Sequence, residues 1–276
     1  MSNPFLNDKA MSKAVDANVA TMAATDAGWG APDPATRARP VDDGPVSPWK
    51  GGVMTVGGAI SATGVLLVIL IASATVGWMR TEENVLGGVN LPMLATVGIL
   101  VGFVCALVVA FKPNLARILG PLYAIAQGFF LGAISKAYNT QYDGIVIQAI
   151  GATLGVFAVM LVLYRTRIIK VTDKFRRTII MATLGLMAFY LVSWVLSLFG
   201  VNIGIFSSSS WLGIAFSLFA AGLAAMNLTL DFDFIERGAA QGMPKQMEWY
   251  AAFGLLVTLV WLYLELLRLL SKLQNR

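Results

Sequence analysis

TIIMATLGLMAFYLVSWVLSLFGVNIGIFSSSSWLGIAFSLFAAGLAAMNLTL, residues 178–230, runs for 53 positions without a charge. A helix crosses the hydrocarbon core of a bilayer in about 20 residues. The run is therefore too long for one crossing and too apolar for a water-facing surface. Dividing it at Phe199-Gly-Val-Asn-Ile-Gly204 gives two spans, 178–199 and 205–229. This pair sets the class, an all-α polytopic membrane protein.

Working outward, five more segments satisfy the same length rule. They lie at about 53–79, 90–111, 118–135, 144–164 and 248–268, and the third is short and rich in glycine. Seven spans result. The whole chain agrees: of 276 residues 57% are hydrophobic and 13% charged, against about 25% charged in a soluble domain. Mean hydropathy is +0.73. Residues 1–50 differ from the rest. Six of the ten prolines lie there, acids and bases nearly cancel, and no apolar period is sustained. Such a segment cannot bury enough apolar surface to order itself, and it lacks the apolar core of a secretory signal. The expected organisation is a disordered cytosolic tail, 1–50, and a seven-helix transmembrane domain, 51–276.

The chain has no histidine and one cysteine, Cys105. Zinc proteases of the HExxH type, Ser-His-Asp triads, histidine proton relays and cysteine zinc sites are excluded. No GxxxxGK[ST] phosphate loop and no credible dinucleotide fingerprint is present. The expectation is a protein that is not an enzyme, binds no nucleic acid and has no cofactor. Oxygen ligands remain, which favour Ca²⁺ or Mg²⁺.

Net charge is +5, and its distribution carries the information. With the N-terminus inside, the tail and the 2–3, 4–5 and 6–7 links hold 15 Lys and Arg, against 5 on the other side. Cytosolic loops carry the basic excess, so the N-terminus is expected in the cytosol and the C-terminus outside. The 4–5 link alone holds Arg165, Arg167, Lys170, Lys174, Arg176 and Arg177. It suits anionic headgroups as well as orientation.

An ionisable group inside a span is costly and marks function by default. The best cluster is Asn227-Leu-Thr-Leu-Asp231-Phe-Asp233-Phe-Ile-Glu236-Arg237 at the inner end of the sixth span. Asp231 and Asp233 lie about 200° apart around a helix, so they cannot share a face. Asp231, nearer the apolar run, is expected to point inward, with Asn227 one turn above it extending a polar track. An ordinary charged helix end at the headgroups would account for the same residues. Glu265 lies 17 residues beyond Glu248, about 25 Å along a helix. It is expected at the outer interface among aromatic-belt residues Trp261 and Tyr263, paired with Arg268 at i+3. In the third span, Gly128 and Gly132 permit close helix approach. Gln127 is polar at mid-span, and packing or a pathway lining would each explain it. Tyr123, Gln148, Tyr190 and Ser193 are expected to make interhelical hydrogen bonds.

The order of these features resembles the Bax inhibitor-1 family, in particular its bacterial branch. The residues that carry the resemblance are Gly-Pro-Leu-Tyr-Ala-Ile-Ala-Gln-Gly-Phe-Phe-Leu-Gly-Ala-Ile-Ser (120–135), Asp231-Phe-Asp233-Phe-Ile-Glu236, Glu248-Trp-Tyr-Ala-Ala-Phe-Gly254 and Trp261-Leu-Tyr-Leu-Glu-Leu-Leu-Arg268. They cover about 50–275 and omit the tail.

The resemblance implies a seven-helix bundle around a central last helix. It also implies a pH-sensitive Ca²⁺ leak, closed when an aspartate on helix six shares a proton with one on helix seven. Two carboxylates in low dielectric cannot both ionise easily, which would make such a pair a pH sensor. Asp231 matches the helix-six aspartate. Thr258 stands where the second aspartate would be, and Glu265 lies further out. The second span has no arginine, where the family places a gating one. The expected function is a pH-sensitive cation leak or channel, Ca²⁺ being the transported or bound ion, in a bacterial plasma membrane. Its ion- or proton-sensing residues would be Asp231, with Asp233 or Glu236 as local substitutes. Asn227, Thr258, Gln127 and Glu265 are candidates for lining the pathway, and no metal ligand set is assigned. The alternative is a non-transporting modulator of a membrane-anchored protease or other membrane protein, acting through the tail. The lipid bilayer is a partner in either case.

Overall fold

The computed structural model describes residues 52–83, 89–90, 93–200 and 210–275. The expected tail, 1–50, and residues 201–204 of the expected break lie outside the described residues. Among the described residues seven α-helices follow one another: α1 Val56–Arg80, α2 Met93–Phe111, α3 Ala116–Gln141, α4 Ile145–Arg165, α5 Asp173–Leu198, α6 Trp211–Ala240 and α7 Met247–Gln274. A two-residue antiparallel ladder between β1 Glu82–Glu83 and β2 Val89–Asn90 lies between α1 and α2. Six of the helices are long and apolar enough to cross a membrane. At 19 residues, α2 rises about 28 Å, close to the thickness of the hydrocarbon core.

Local chemistry sets several helix starts. Thr55, Thr172 and Ser210 accept the backbone N–H groups of Gly58, Phe175 and Gly213 at the heads of α1, α5 and α6, as N-cap side chains do. Gly144 enters α4 with φ +75° and Gly200 leaves α5 with φ +81°, a region that other residues rarely adopt.

Three helices outrun the apolar segments that mark them. The third, expected to be short, has 26 residues. Its extra turns are polar, and Lys136 lies 5.5 Å from the centroid of the Trp78 ring on α1. α6 continues to Ala240, supported by the i,i+4 ion pair of Asp233 and Arg237. α7 continues to Gln274 with Ser271 and Lys272 buried.

α1, α2 and α3 pack together, α4, α5 and α6 form a second group, and α7 lies between them against α1, α3, α4 and α6. One core cluster joins α1, α2 and α3 to α7 through Leu66, Tyr123, Ala124, Ala252 and Leu256. Another joins α4 and α6 to α7 through Met160, Leu228, Phe232 and Leu262. The seam between α1 and α3 is made by small residues. A β-carbon on Gly132 would fall 2.0 Å from Ala74 O, and one on Gly128 would fall 2.6 Å from Leu70 O. The Gly128–Gly132 pair therefore serves packing.

The chain returns to itself at one end of the bundle. Met54 N–H donates to Met243 O at 2.7 Å and Lys245 N–H to Gly52 O at 3.1 Å, so the entry to α1 is tied to the link between α6 and α7. The α4–α5 link lies at the same end, since Arg237 Nη2 donates to Val171 O at 2.9 Å. This is the basic end. Lys272 bonded to Gly213 at the start of α6 marks the opposite end.

Candidate functional site

Asp231 and Asp233 occupy different faces of α6. Asp233 is buried and fully engaged: Arg176 Nη2 donates to Oδ2 at 2.6 Å and Arg237 Nε to Oδ1 at 2.8 Å. Both arginines are partly exposed, so the carboxylate is shared between two guanidinium groups at the basic end. Glu236 continues this surface cluster. It accepts from the Tyr164 hydroxyl and pairs with Arg167 at 3.3 Å. Asp233 and Glu236 thus hold the α4–α5 link to α6. They do not stand beside Asp231.

Asp231 faces α7. A β-carbon on Gly254 would lie 3.6 Å from Asp231 Oδ1, and the Thr258 hydroxyl faces the same carboxyl group. Thr258 itself donates to Gly254 O at 3.1 Å. Asp231 Oδ2 is buried and has no hydrogen-bond partner among the described residues. The group lines a cavity of about 490 Å³ whose wall includes Arg176, Arg237, Phe234, Tyr250 and Gly254. The pocket is partly open and its wall mixes these polar groups with apolar ones such as Ile180 and Leu230, and its volume is enough for several water molecules. Among the described residues, no three acidic or cysteine side chains converge to hold a metal ion.

The other expected pathway residues lie elsewhere. Asn227 Nδ2 donates to Thr183 Oγ1 on α5 and to its own Leu223 O, both at 2.9 Å. It ties α5 to α6 instead of extending a track above Asp231. Gln127 packs on α2, where a β-carbon on Gly102 would fall 2.2 Å from its Nε2. Glu265 is paired with Arg268 as the i+3 spacing predicts, at 3.0 Å. It is buried inside the protein, 1% exposed. It accepts from the Tyr190 hydroxyl at 2.7 Å and from Trp261 Nε1 at 3.2 Å. The reason is the central position of α7, whose end is covered by α5 and α6. Trp261 and Tyr263 pack into the cores instead of forming a belt.

Among the described residues six helices accompany the central α7, and an aspartate at the basic end of α6 faces it. The chain matches the model of the family described as Bax inhibitor 1 like over residues 3–275. It belongs to the Bax inhibitor 1 like family. The match begins at residue 3, so it takes in the N-terminal segment that the sequence resemblance left out. No curated protein matches the chain. As a member of the Bax inhibitor 1 like family with this set of apolar helices, it is a multi-pass membrane protein, and the bilayer is its surroundings.

One structural residue of this family member was not singled out from sequence. Glu248, in the first turn of α7, is 5% exposed. Its Oε1 accepts both the backbone N–H and the hydroxyl of Thr55, each at 2.9 Å. Gly58 leaves room for it, since a β-carbon there would fall 2.1 Å from the carboxylate. The acid completes the cap of α1 across 193 residues of sequence, and no local pattern announces that.

Proposed function

We propose that the chain is a pH-sensitive cation leak, carrying Ca²⁺, in which Asp231 is the ion- and proton-sensing group. The observation that supports this most is the buried Asp231 Oδ2, without a hydrogen-bond partner among the described residues, at the wall of the 490 Å³ cavity. A carboxyl group in that setting is hydrogen-bonded to no counter-charge among the described residues. Its charge state then responds to pH and to an arriving cation.

Arg176 and Arg237 stand at the same cavity, and both hydrogen-bond to Asp233. The α7 surface opposite is Gly254 and Thr258. A change of charge on Asp231 therefore acts on the contact between α6 and α7. The partner in such a change is the Thr258 hydroxyl, in place of the second aspartate of the resemblance. The role is non-enzymatic.

In this reading the basic end faces the cytosol of a bacterial plasma membrane, following the Lys and Arg excess. The tail, 1–50, then lies inside and the C-terminus outside. The test is Ca²⁺ flux from proteoliposomes containing the full chain and its Asp231→Asn and Asp231→Ala variants. Flux that is altered in both variants supports the assignment. Flux equal to that of the unaltered protein in both would overturn it.

A further inference from the structure

A second cleft, of about 410 Å³, lies between the two helix groups. α3 and α7 form its floor with Leu131, Leu259 and Val260, and α1 and α4 form its two rims. It shares no lining residue with the Asp231 cavity. On α1 its wall runs from Thr63 to Trp78, about 22 Å of helix. That volume over that length is a narrow slot. Its wall on α4 begins at Val146, in the first turn, so the slot lies towards the end of the bundle away from the basic one.

The hydroxyl groups in the wall are already committed. Thr63, Thr75 and Thr153 donate to Ala59 O, Ile71 O and Ala149 O of their own helices, at 2.8, 2.9 and 2.7 Å. Ser135 and Tyr263 bond each other at 2.6 Å. An enclosed water needs two to four polar partners, and committed hydroxyls are a poor set, so the slot favours an apolar occupant. Its rims face outward: Ile71 and Leu154 are each 62% exposed. Both stand on helices long and apolar enough to cross a membrane, so the slot opens onto lipid. It ends at Trp78, where the Lys136 ammonium lies 5.5 Å from the ring centroid.

We propose that this slot is a binding site for one acyl chain of a phospholipid in the leaflet at that end, with the lipid phosphate at Lys136. A volume of 410 Å³ falls among ligand pockets, which hold roughly 300–1,000 Å³. An elongated apolar slot entered from the side matches a chain, and a cation at its end matches the phosphate. The chain lies against Leu259 and Val260 of α7, so the lipid wedges between the two helix groups at the central helix. The site does not depend on the leak reading of Asp231.

The experiment uses the full chain in phosphatidylcholine liposomes with a trace of phosphatidylglycerol carrying a diazirine in its acyl chain. Cross-linked peptides are mapped by mass spectrometry after illumination. Adducts are expected on the floor, at Leu131, Leu259 and Val260, and excess unlabelled phosphatidylglycerol should suppress them. Ala74→Phe, which fills the slot, should lower floor labelling about tenfold, the scale of two displaced methylenes. Leu154→Trp, at the exposed rim, serves where Ala74→Phe does not fold. Leu184→Trp, on the exposed face of α5, should change nothing. Lys136→Gln should lower floor labelling about fivefold, the scale of one lysine at an anionic surface, and Lys136→Arg should retain it. Adducts spread over outward residues such as Val68 and Leu184, and not suppressed by excess lipid, overturn the site. Floor labelling unchanged in Lys136→Gln overturns the phosphate contact. A diazirine fatty acid that labels the floor undiminished by excess phospholipid overturns phospholipid as the occupant.

Discussion

Asp231 and Asp233 are two residues apart on α6 and are turned to opposite environments. Asp233 receives two guanidinium groups at 2.6 and 2.8 Å, while Asp231 Oδ2 receives no hydrogen bond among the described residues. The 200° between them allows one helix to present a structural carboxylate to the α4–α5 link and an uncommitted one to α7. Their substitution should separate stability from transport.

Asp233→Asn removes the charge shared by Arg176 and Arg237. We expect a loss of about 1–2 kcal/mol, between the values for exposed and buried ion pairs, because both arginines are partly solvated. Thermal unfolding in detergent measures it. An unchanged midpoint would show that the two pairs contribute nothing.

Gly132→Ala brings a methyl group to 2.0 Å from Ala74 O and 2.6 Å from Trp78 N. Neither atom is a flexible side-chain end, so α1 and α3 must separate. A destabilisation of about 1–3 kcal/mol follows, as for other overpacked sites. Gly155→Ala on α4 meets nothing within 4 Å and should leave the midpoint unchanged or slightly higher. Equal midpoints for the two variants would contradict the packing described for α1 and α3.

Glu248→Ala deprives the Thr55 N–H and hydroxyl of their acceptor at the head of α1. The expected cost is about 1–3 kcal/mol. Glu248→Gln retains an acceptor oxygen and should lose less. Unfolding midpoints in the order native, Gln, Ala are expected, and the reverse order for the two variants would contradict the cap.

The class of fold was legible because seven apolar runs exceed what a water-facing surface tolerates. The helix ends were not, since α3 and α7 extend through polar turns whose support comes from distant residues such as Trp78 and Ser217, and α6 extends past its apolar run on the Asp233–Arg237 pair. The opposed faces of Asp231 and Asp233 were legible from the helical period alone. Their surroundings depend on which helices are neighbours. Depth along α7 placed Glu265 towards the far end, but its burial follows from the central position of that helix, which sequence spacing does not encode. Asn227 was legible as a polar group needing a partner. That the partner is Thr183 of α5 follows only from the packing.

Asn227→Ala removes the donor to Thr183. We expect about 0.6 kcal/mol of coupling between the two in a double-mutant cycle with Thr183→Ala, the usual scale for hydrogen bonds between helices in membranes. Zero coupling would mean that Asn227 serves only its own helix, through Leu223 O.

The pH profile of Ca²⁺ efflux from proteoliposomes, recorded in parallel for the native chain and Asp231→Asn, tests the central assignment most directly. Asparagine keeps the size of the side chain and cannot titrate. We expect efflux from the native protein to change across the profile and efflux from the variant to be flat. Identical, pH-dependent profiles would contradict a sensing role for Asp231.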